Sequence, residues 1–465
     1  MVLLDVSIVN VALPSIRIGL DAQPNELQWV LSGYALTFGL LLVPAGRIGD
    51  LRGRRVVFVA ALGLFTLASA ACGAAPNAIF LVIARLVQGL AGGTLTPQIT
   101  ALIQELFRGP ERSRAFGWFG TVVGISTAIG PLLGGVLIAI FGQDSGWRAV
   151  FFVNIPIGLV AMVFAWRLLP AREESEREAG HDLDPVGVVL LGAGAVVLLL
   201  PFVQEQTWPG RGKWLLVPLA VLLLIGFVVW DLTYSRRGRE PLVDFALFRR
   251  RSYSFGISMI SLYFAGFTPL FFIFTLYLQS GEAYSPLLAG LSITPFAIGS
   301  AIGATVGGRV VNRLGRRLIA VGLVLVGLGF AGSLLAVHVA PSHHTGWVTL
   351  LPLLVAGFGN GIVISPNQTL TLSEVPVARA GTAGGLLQTG QRIGTAIGIA
   401  AVGAAFFARL SSAHGDYAVA YTHGLFVALA FVGAALVVAL VDLGVNRAVH
   451  AHHREDRNSD VSARA

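Results

Sequence analysis

Charge is scarce in this chain. Of its 465 residues, 12% are Asp, Glu, Lys or Arg and 55% are hydrophobic, whereas a soluble protein carries about 25% charged residues. Too little polar material is present to cover a water-soluble surface, and the mean hydropathy of +0.77 fits a lipid solvent instead. Lysine is nearly missing: Lys213 is the only one, and every other basic residue is arginine. The single cysteine, Cys72, excludes an intramolecular disulfide and a thiolate metal cluster. No Walker-type phosphate loop, HExxH pattern or cysteine pair occurs. Those absences disfavour ATP-driven pumping and leave no recognisable catalytic constellation. The expectation is a protein that is not an enzyme, with no cofactor, no resident metal and an ion gradient as its energy source.

What the chain does contain is a succession of apolar runs near twenty residues long. A bilayer demands closed backbone hydrogen bonding, so it admits helices or a barrel. Runs of this length favour helices, because barrel strands alternate over about ten residues. The fold class expected is all-α integral membrane. Fourteen spans are predicted: 1–16, 27–46, 56–75, 79–104, 115–141, 147–168, 184–204, 213–232, 253–279, 284–309, 317–338, 346–371, 382–408 and 419–441. Of the 32 basic residues, 25 fall in loops on one side and five on the other (Arg17, Arg148, Arg211, Lys213 and Arg409), while Arg85 and Arg392 lie within spans. That bias predicts both termini in the cytoplasm of a bacterial inner (plasma) membrane. It also accounts for the net charge of +8 without nucleic acid as a partner.

The loop after the second span, 46–55, reads GRIGDLRGRR, and the loop after the tenth, 308–317, reads GRVVNRLGRR. At a constant offset of 262 residues Gly, Arg, Gly, Arg and Arg coincide, with Asp50 opposite Asn312. The match implies two parallel six-helix halves. The organisation predicted is a first bundle at 1–168, an inserted pair of helices with cytoplasmic linkers at 169–252, a second bundle at 253–441 and a cytoplasmic tail at 442–465.

Further motifs support a family resemblance. Leu4-Asp5-Val6-Ser7 through Pro14, the Gly46–Arg55 loop, Arg85-Leu86-Val87-Gln88-Gly89, and Gly130-Pro131 with Gly134 and Gly135 stand in successive spans. Trp147-Arg148 with Phe151, Asn154 and Pro156, then Tyr277-Leu278-Gln279, and Arg392 with Gly394 extend the series. Together they resemble the fourteen-span drug:proton antiporter branch of the major facilitator superfamily, of QacA and EmrB type. The chain departs from that pattern at Ser126, Gln388 and Asn312, and its first span is short.

Asp5 is the one acidic residue read as lying clearly within a span. Twelve residues from Arg17 place it about 18 Å below that surface. A carboxylate at such depth is costly to keep charged, which makes Asp5 a candidate proton carrier. The alternative is a neutral, hydrogen-bonded Asp that packs helices. Arg85, about 9 Å from that same edge, is read as the group that helps release that proton, with a snorkelling anchor as its alternative. Gly46, Asp50, Gly53, Arg54 and Arg55 are candidates for a conformational latch, with Asp50 beside a helix N-terminus and both arginines in the cytoplasm. Gly130, Pro131, Gly134 and Gly135 are candidates for a close-packed pivot. Asn10, Trp29, Tyr34, Gln88, Gln98, Tyr263, Phe267, Gln279 and Arg392 are candidate cavity residues, against the plainer reading that most such side chains only pack. The run Arg172–Asp184 reads as a solvated linker, and the tail with His450, His452 and His453 as solvated rather than metal-binding.

The resemblance implies proton-coupled export of a small amphipathic organic compound, with protons and the lipid bilayer as the other partners. A dedicated exporter of one metabolite or amino acid is the alternative within transport, and a non-transporting signalling or scaffold protein the alternative outside it. Because only 16 residues precede Arg17, the natural protein is expected to start upstream, with a further basic residue. The topology is testable by cysteine labelling in a Cys72→Ala background. Residues 172–184 and 447–465 should label from the cytoplasm and residue 210 from outside; labelling of residue 210 from the cytoplasm alone overturns the fourteen-span arrangement.

Overall fold

The computed structural model describes residues 1–170, 184–203, 208, 210–239, 241–339 and 344–462, with side chains described up to residue 445. It is built from helices: α1 (Val2–Leu20), α2 (Pro24–Arg52), α3 (Arg54–Gly73), α4 (Ala78–Leu106), α5 (Gly109–Phe141), α6 (Gly146–Phe152), α7 (Asn154–Leu168), α8 (Pro185–Val203) and α9 (Leu216–Arg236). The second part holds α10 (Ala246–Arg249), α11 (Arg251–Leu276), α12 (Pro286–Leu314), α13 (Arg316–Val339), α14 (Thr345–Val348), α15 (Leu350–Thr371), α16 (Ala380–Ser412) and α17 (Tyr417–Ser462). Among the described residues, thirteen helices are long and apolar enough to cross a membrane. The expected seventh span falls short of that length as an apolar helix over Pro185–Leu198.

Local sequence explains the boundaries. Asn77 opens α4 by accepting from Phe80 N at 2.8 Å, and Ser285 opens α12 ahead of Pro286 by accepting from Leu288 N. Both caps satisfy donors that a helix start leaves open. Glu26 turns back to Gln23 N at 2.8 Å and closes a capping box at the start of α2. The first helix runs four residues past the expected end, so Arg17 lies in its last turn, and Asp21 closes it in the left-handed conformation. The expected sixth span is two helices, α6 and α7. Pro156 lacks an N–H and its ring clashes with the carbonyl four residues back, that of Phe152, so the break falls there.

Helices α1 to α7 pack as one half and α11 to α17 as the other, with α8 and α9 packed on each other. The 262-residue repeat reappears in the backbone. Gly53 ends α2 with φ of +96° and Gly315 ends α12 with φ of +54°, conformations that favour glycine, and α3 and α13 begin one residue later at Arg54 and Arg316.

The halves meet along two seams, α2 against α16 and α5 against α12. Close backbone approach makes both. A Cβ at Gly46 would meet the backbone of Gly381, and a Cβ at Gly308 would lie 2.7 Å from Gly117 Cα and from Ser113 O. The leading glycine of each repeated loop is therefore a seam contact. Helix α8 packs against α2 and α16, so the inserted pair lies beside the first seam. Gly308→Val should force α5 from α12 and cost about 1–3 kcal/mol of overpacking strain; a lowered melting temperature in detergent is the expected result, and an unchanged one rejects the close approach.

Candidate functional site

Two polar constellations each tie several helices together. The first surrounds Asp5, which is fully buried on α1. Its Oδ2 accepts from Arg85 Nη1 at 2.6 Å. Its Oδ1 accepts from Gln88 Nε2 at 2.9 Å and from Asn154 Nδ2 at 3.0 Å. Arg85 is 1% exposed, donates Nε to Val30 O at 3.0 Å and Nη1 to Gln88 Oε1 at 2.7 Å, and stands over the Tyr34 ring at 4.1 Å. Ser69 Oγ accepts from Gln88 and Asn154 and donates to Phe151 O. Three polar side chains and one ion pair thus tie α1, α3, α4 and α7 together. With both oxygens receiving donors, the pocket is arranged for the ionised carboxylate.

The sequence reading placed Asp5, Arg85 and Gln88 among the candidates, and the fold brings all three together. Depths counted along separate helices had set Asp5 and Arg85 apart, but tilted helices whose ends are not level do not share a depth scale. Ser69 went unread, and Asn154 was read only as part of a motif. A signal for Ser69 exists: Thr66, Ser69 and Cys72 recur every third residue on one face of α3. Asn154 depended on the α6–α7 break, which places it at the first position of α7, next to Asp5.

The second constellation is the α2/α16 seam on the Arg-rich side. Asp50 accepts from Gly381 N at 3.1 Å, Thr382 N at 3.0 Å and Thr382 Oγ1 at 3.1 Å, all in the first turn of α16. Unpaired amides and the helix dipole favour an anion there. Arg54 pairs with Asp50 at 2.9 Å and with Glu105 at 2.7 Å, and donates to Val377 O of the other half. Arg54 is only 8% exposed, because these two carboxylates and a carbonyl enclose it. Arg55 reaches Trp166, donating to its carbonyl at 2.5 Å and lying over its ring. At the other seam Asn312 Oδ1 accepts from Ser113 Oγ at 3.0 Å, and Thr121 hydrogen-bonds Ala301 O and Thr305. Both seams carry hydrogen bonds between the halves near the Arg-rich side.

The other candidates are dispersed. Gly130 faces Ser7 and Gly134 faces Ile8 of α1, within the first half, while a Cβ at Gly135 would meet nothing; Pro131 lies opposite Gly290. The glycines that α5 turns toward the second half are Gly117, Gly120 and Gly124. Gln98 is buried and donates to Ala45 O at 2.7 Å. Tyr263 is buried, donates to Asn360 Oδ1 at 2.6 Å and stacks on Phe267 at 5.4 Å. Asn10, Trp29 and Gln279 are exposed. Arg392 stands over the Phe38 ring of the opposite half at 4.4 Å, with no carboxylate or hydrogen-bond partner among the described residues.

Asp5 is also not the only acid in the helices. Asp231 and Asp442 are buried near the Arg-rich ends, where Leu242 N bonds Asp231 and Arg316 pairs with Asp442 at 2.7 Å. Asp184, read as part of a solvated linker, is buried and accepts from Gly187 N and Trp230 Nε1. The rest of that linker and the tail histidines lie outside the described residues and side chains. No group of His, Cys, Asp and Glu able to hold a metal occurs among the described residues.

Two helical halves meet at these seams, with a polar cluster inside one of them, and the relatives of the chain are membrane transporters rather than enzymes. The chain belongs to the Major Facilitator Superfamily, whose family model matches residues 1–399. It is 36% identical to a probable actinorhodin transporter of Streptomyces coelicolor, over 88% of this chain and 71% of that one. It is 32% identical to a tetracenomycin C resistance and export protein of Streptomyces glaucescens, over 90% and 75%. Its fold resembles that of the human organic anion transporter MFSD10 (TETRAN), with a TM-score of 0.64 at 16% identity over 94% and 96% of the two chains.

Asp50→Asn should weaken the seam. Replacing the charge at a helix N-terminus costs about 0.3–1 kcal/mol, enough to shift a balanced two-state transporter. Turnover should fall while the melting temperature stays near wild type. Unchanged turnover, with unchanged accessibility of reporter cysteines on the Arg-rich side, would reduce the loop to a topology signal.

Proposed function

We propose that this chain is a proton-coupled antiporter that exports amphipathic organic compounds, antibiotics or related secondary metabolites, by alternating access. The reading includes the fourteen-span branch, with α8 as the seventh span and both termini in the cytoplasm of a bacterial plasma membrane. It divides the chain into bundles at 1–168 and 253–441, an inserted pair at 169–252 and a tail from 442. Export as the direction rests on the relatives, which include resistance and export proteins.

The observation that carries the coupling is the buried Asp5–Arg85 pair at 2.6 Å. In a medium without water the two charges stabilise each other, and neutralising one leaves the other costly. A proton on Asp5 removes the acceptor charge and turns one oxygen from acceptor to donor. Arg85 then keeps only Val30 O, Gln88 and the Tyr34 face. That penalty drives the proton off again when the pocket opens to a side of lower proton activity. Because α1, α3, α4 and α7 meet at this carboxylate, its protonation alters how four helices pack and biases the two global states. In this reading the Asp50 contacts with α16 hold the halves together on the Arg-rich side, so the conformation is taken as one closed toward the cytoplasm. Arg392 over Phe38, joining the halves, is the candidate contact for a substrate bearing an acidic or electron-rich aromatic group.

Asp5→Asn should reduce gradient-driven efflux of a fluorescent dye to that of cells lacking the transporter, with equilibrium dye binding retained. Asp5→Glu, which keeps a titratable group, should restore part of the efflux, and that recovery separates coupling from folding. Wild-type efflux from Asp5→Asn under an imposed pH gradient removes Asp5 from the mechanism.

A further inference from the structure

The two seams are related by the repeat, but among the described residues only one has a carboxylate paired with the arginines at its rim. Beside α2/α16, a small cleft is lined by Arg47, Asp244 and Arg379 with Pro241 and Leu242, and Arg379 ion-pairs with Asp244. The segment that follows the inserted helices thus brings a carboxylate to the arginines of that seam. The 262-residue offset places Arg309 opposite Arg47. At its seam a groove of about 480 Å³ opens between α5 and α12, lined by Arg114 and Trp118 from one helix and Thr305, Arg309, Val310 and Arg313 from the other. Among the described residues none of Arg114, Arg309 and Arg313 has an ion-pair or hydrogen-bond partner. The acid nearest in sequence, Glu111, makes no ion pair with them. Three guanidinium groups face one groove with no ion pair among the described residues.

The surroundings define what neutralises them. The groove lies on the Arg-rich side, where the predicted loops meet the headgroup layer. Beyond it the seam continues as an exposed apolar track, Val122 and Ile125 on α5 and Ile298 and Ile302 on α12. Trp118, 60% exposed at the junction, suits the boundary between headgroups and chains. A cationic pocket above an apolar track matches a molecule with an anionic head and acyl chains, and basic pockets between membrane helices bind such headgroups.

We propose that this groove is a binding site for an anionic phospholipid of the cytoplasmic leaflet. Its phosphate is held by Arg114, Arg309 and Arg313, and its chains lie along the α5/α12 seam. Because the arginines come from both halves, the bound lipid bridges them at a seam whose own hydrogen bonds, Ser113–Asn312 and Thr121–Thr305, are neutral. The inserted helices and Asp244 do the equivalent work at the other seam. The site stands whatever compound is transported.

Native mass spectrometry of the purified full chain, from micelles holding equal phosphatidylglycerol and phosphatidylcholine, tests it. The wild type should retain phosphatidylglycerol preferentially. Each arginine near an anionic headgroup contributes a factor of about five, so Arg114→Gln/Arg309→Gln/Arg313→Gln should bind on the order of 100-fold more weakly. The Lys versions at the same three positions should keep most of the binding. A control with equal charge loss, Arg236→Gln/Arg237→Gln/Arg317→Gln, should bind as wild type. Melting curves and dye binding identify any variant that has lost its fold, and the Lys triple then carries the comparison. Equal retention by the Gln triple and the wild type overturns the site. Displacement of the lipid by millimolar inorganic phosphate overturns it in favour of a free-anion site.

Discussion

Hydrocarbon offers a buried polar group nothing to bond with, and the architecture answers to that constraint. Backbone amides satisfy it by closing into helices. Polar side chains satisfy it only by finding one another, so those that survive in an apolar sequence are drawn into clusters. Asp5 is the plainest case. Its two oxygens accept three donors from α4 and α7, and Arg85, Gln88, Asn154 and Ser69 have few remaining bonds to make. A carboxylate held this way is a fixed point for four helices, and a change in its charge is felt by all of them.

The same constraint makes the repeat unequal. Each half carries the glycine-led loop, ends a helix at a left-handed glycine and starts the next at an arginine. Yet Asp50 meets the first turn of α16 as an anion, while Asn312 meets α5 through one neutral bond to Ser113. Arg54 is enclosed with Asp50 and Glu105, whereas its counterpart Arg316 turns away to Asp442 and Ser252. The first seam is charged and flanked by the inserted helices. The second is a glycine-lined backbone contact with arginines at its rim. The two seams thus differ in chemistry although the repeat relates them.

The sequence alone determined the solvent, the helical class and nearly every span, because twenty-residue apolar runs and capping residues are local properties. It also determined the repeat, since matching loops at one offset are visible without a fold, and it singled out Asp5, Arg85, Gln88 and Asp50 by type and position. Proline marked a break that the span reading passed over: Pro156 splits the sixth span, and a hydropathy window averages across such a break.

Only the tertiary structure decided who meets whom. Asp5 and Asn154 are 149 residues apart, and Asp50 and Thr382 are 332 apart; no periodicity joins them. Tyr34, Gln98 and Tyr263 looked alike as polar or aromatic residues in spans, but packing sent Tyr34 beneath Arg85 and Gln98 and Tyr263 into closed bonds. Burial of Arg54, Asp184 and Asp231 was equally illegible, because a charge near a helix end is solvated or enclosed according to what a distant segment brings beside it. Local chemistry sets which groups cannot remain alone in lipid, and only the fold supplies their partners.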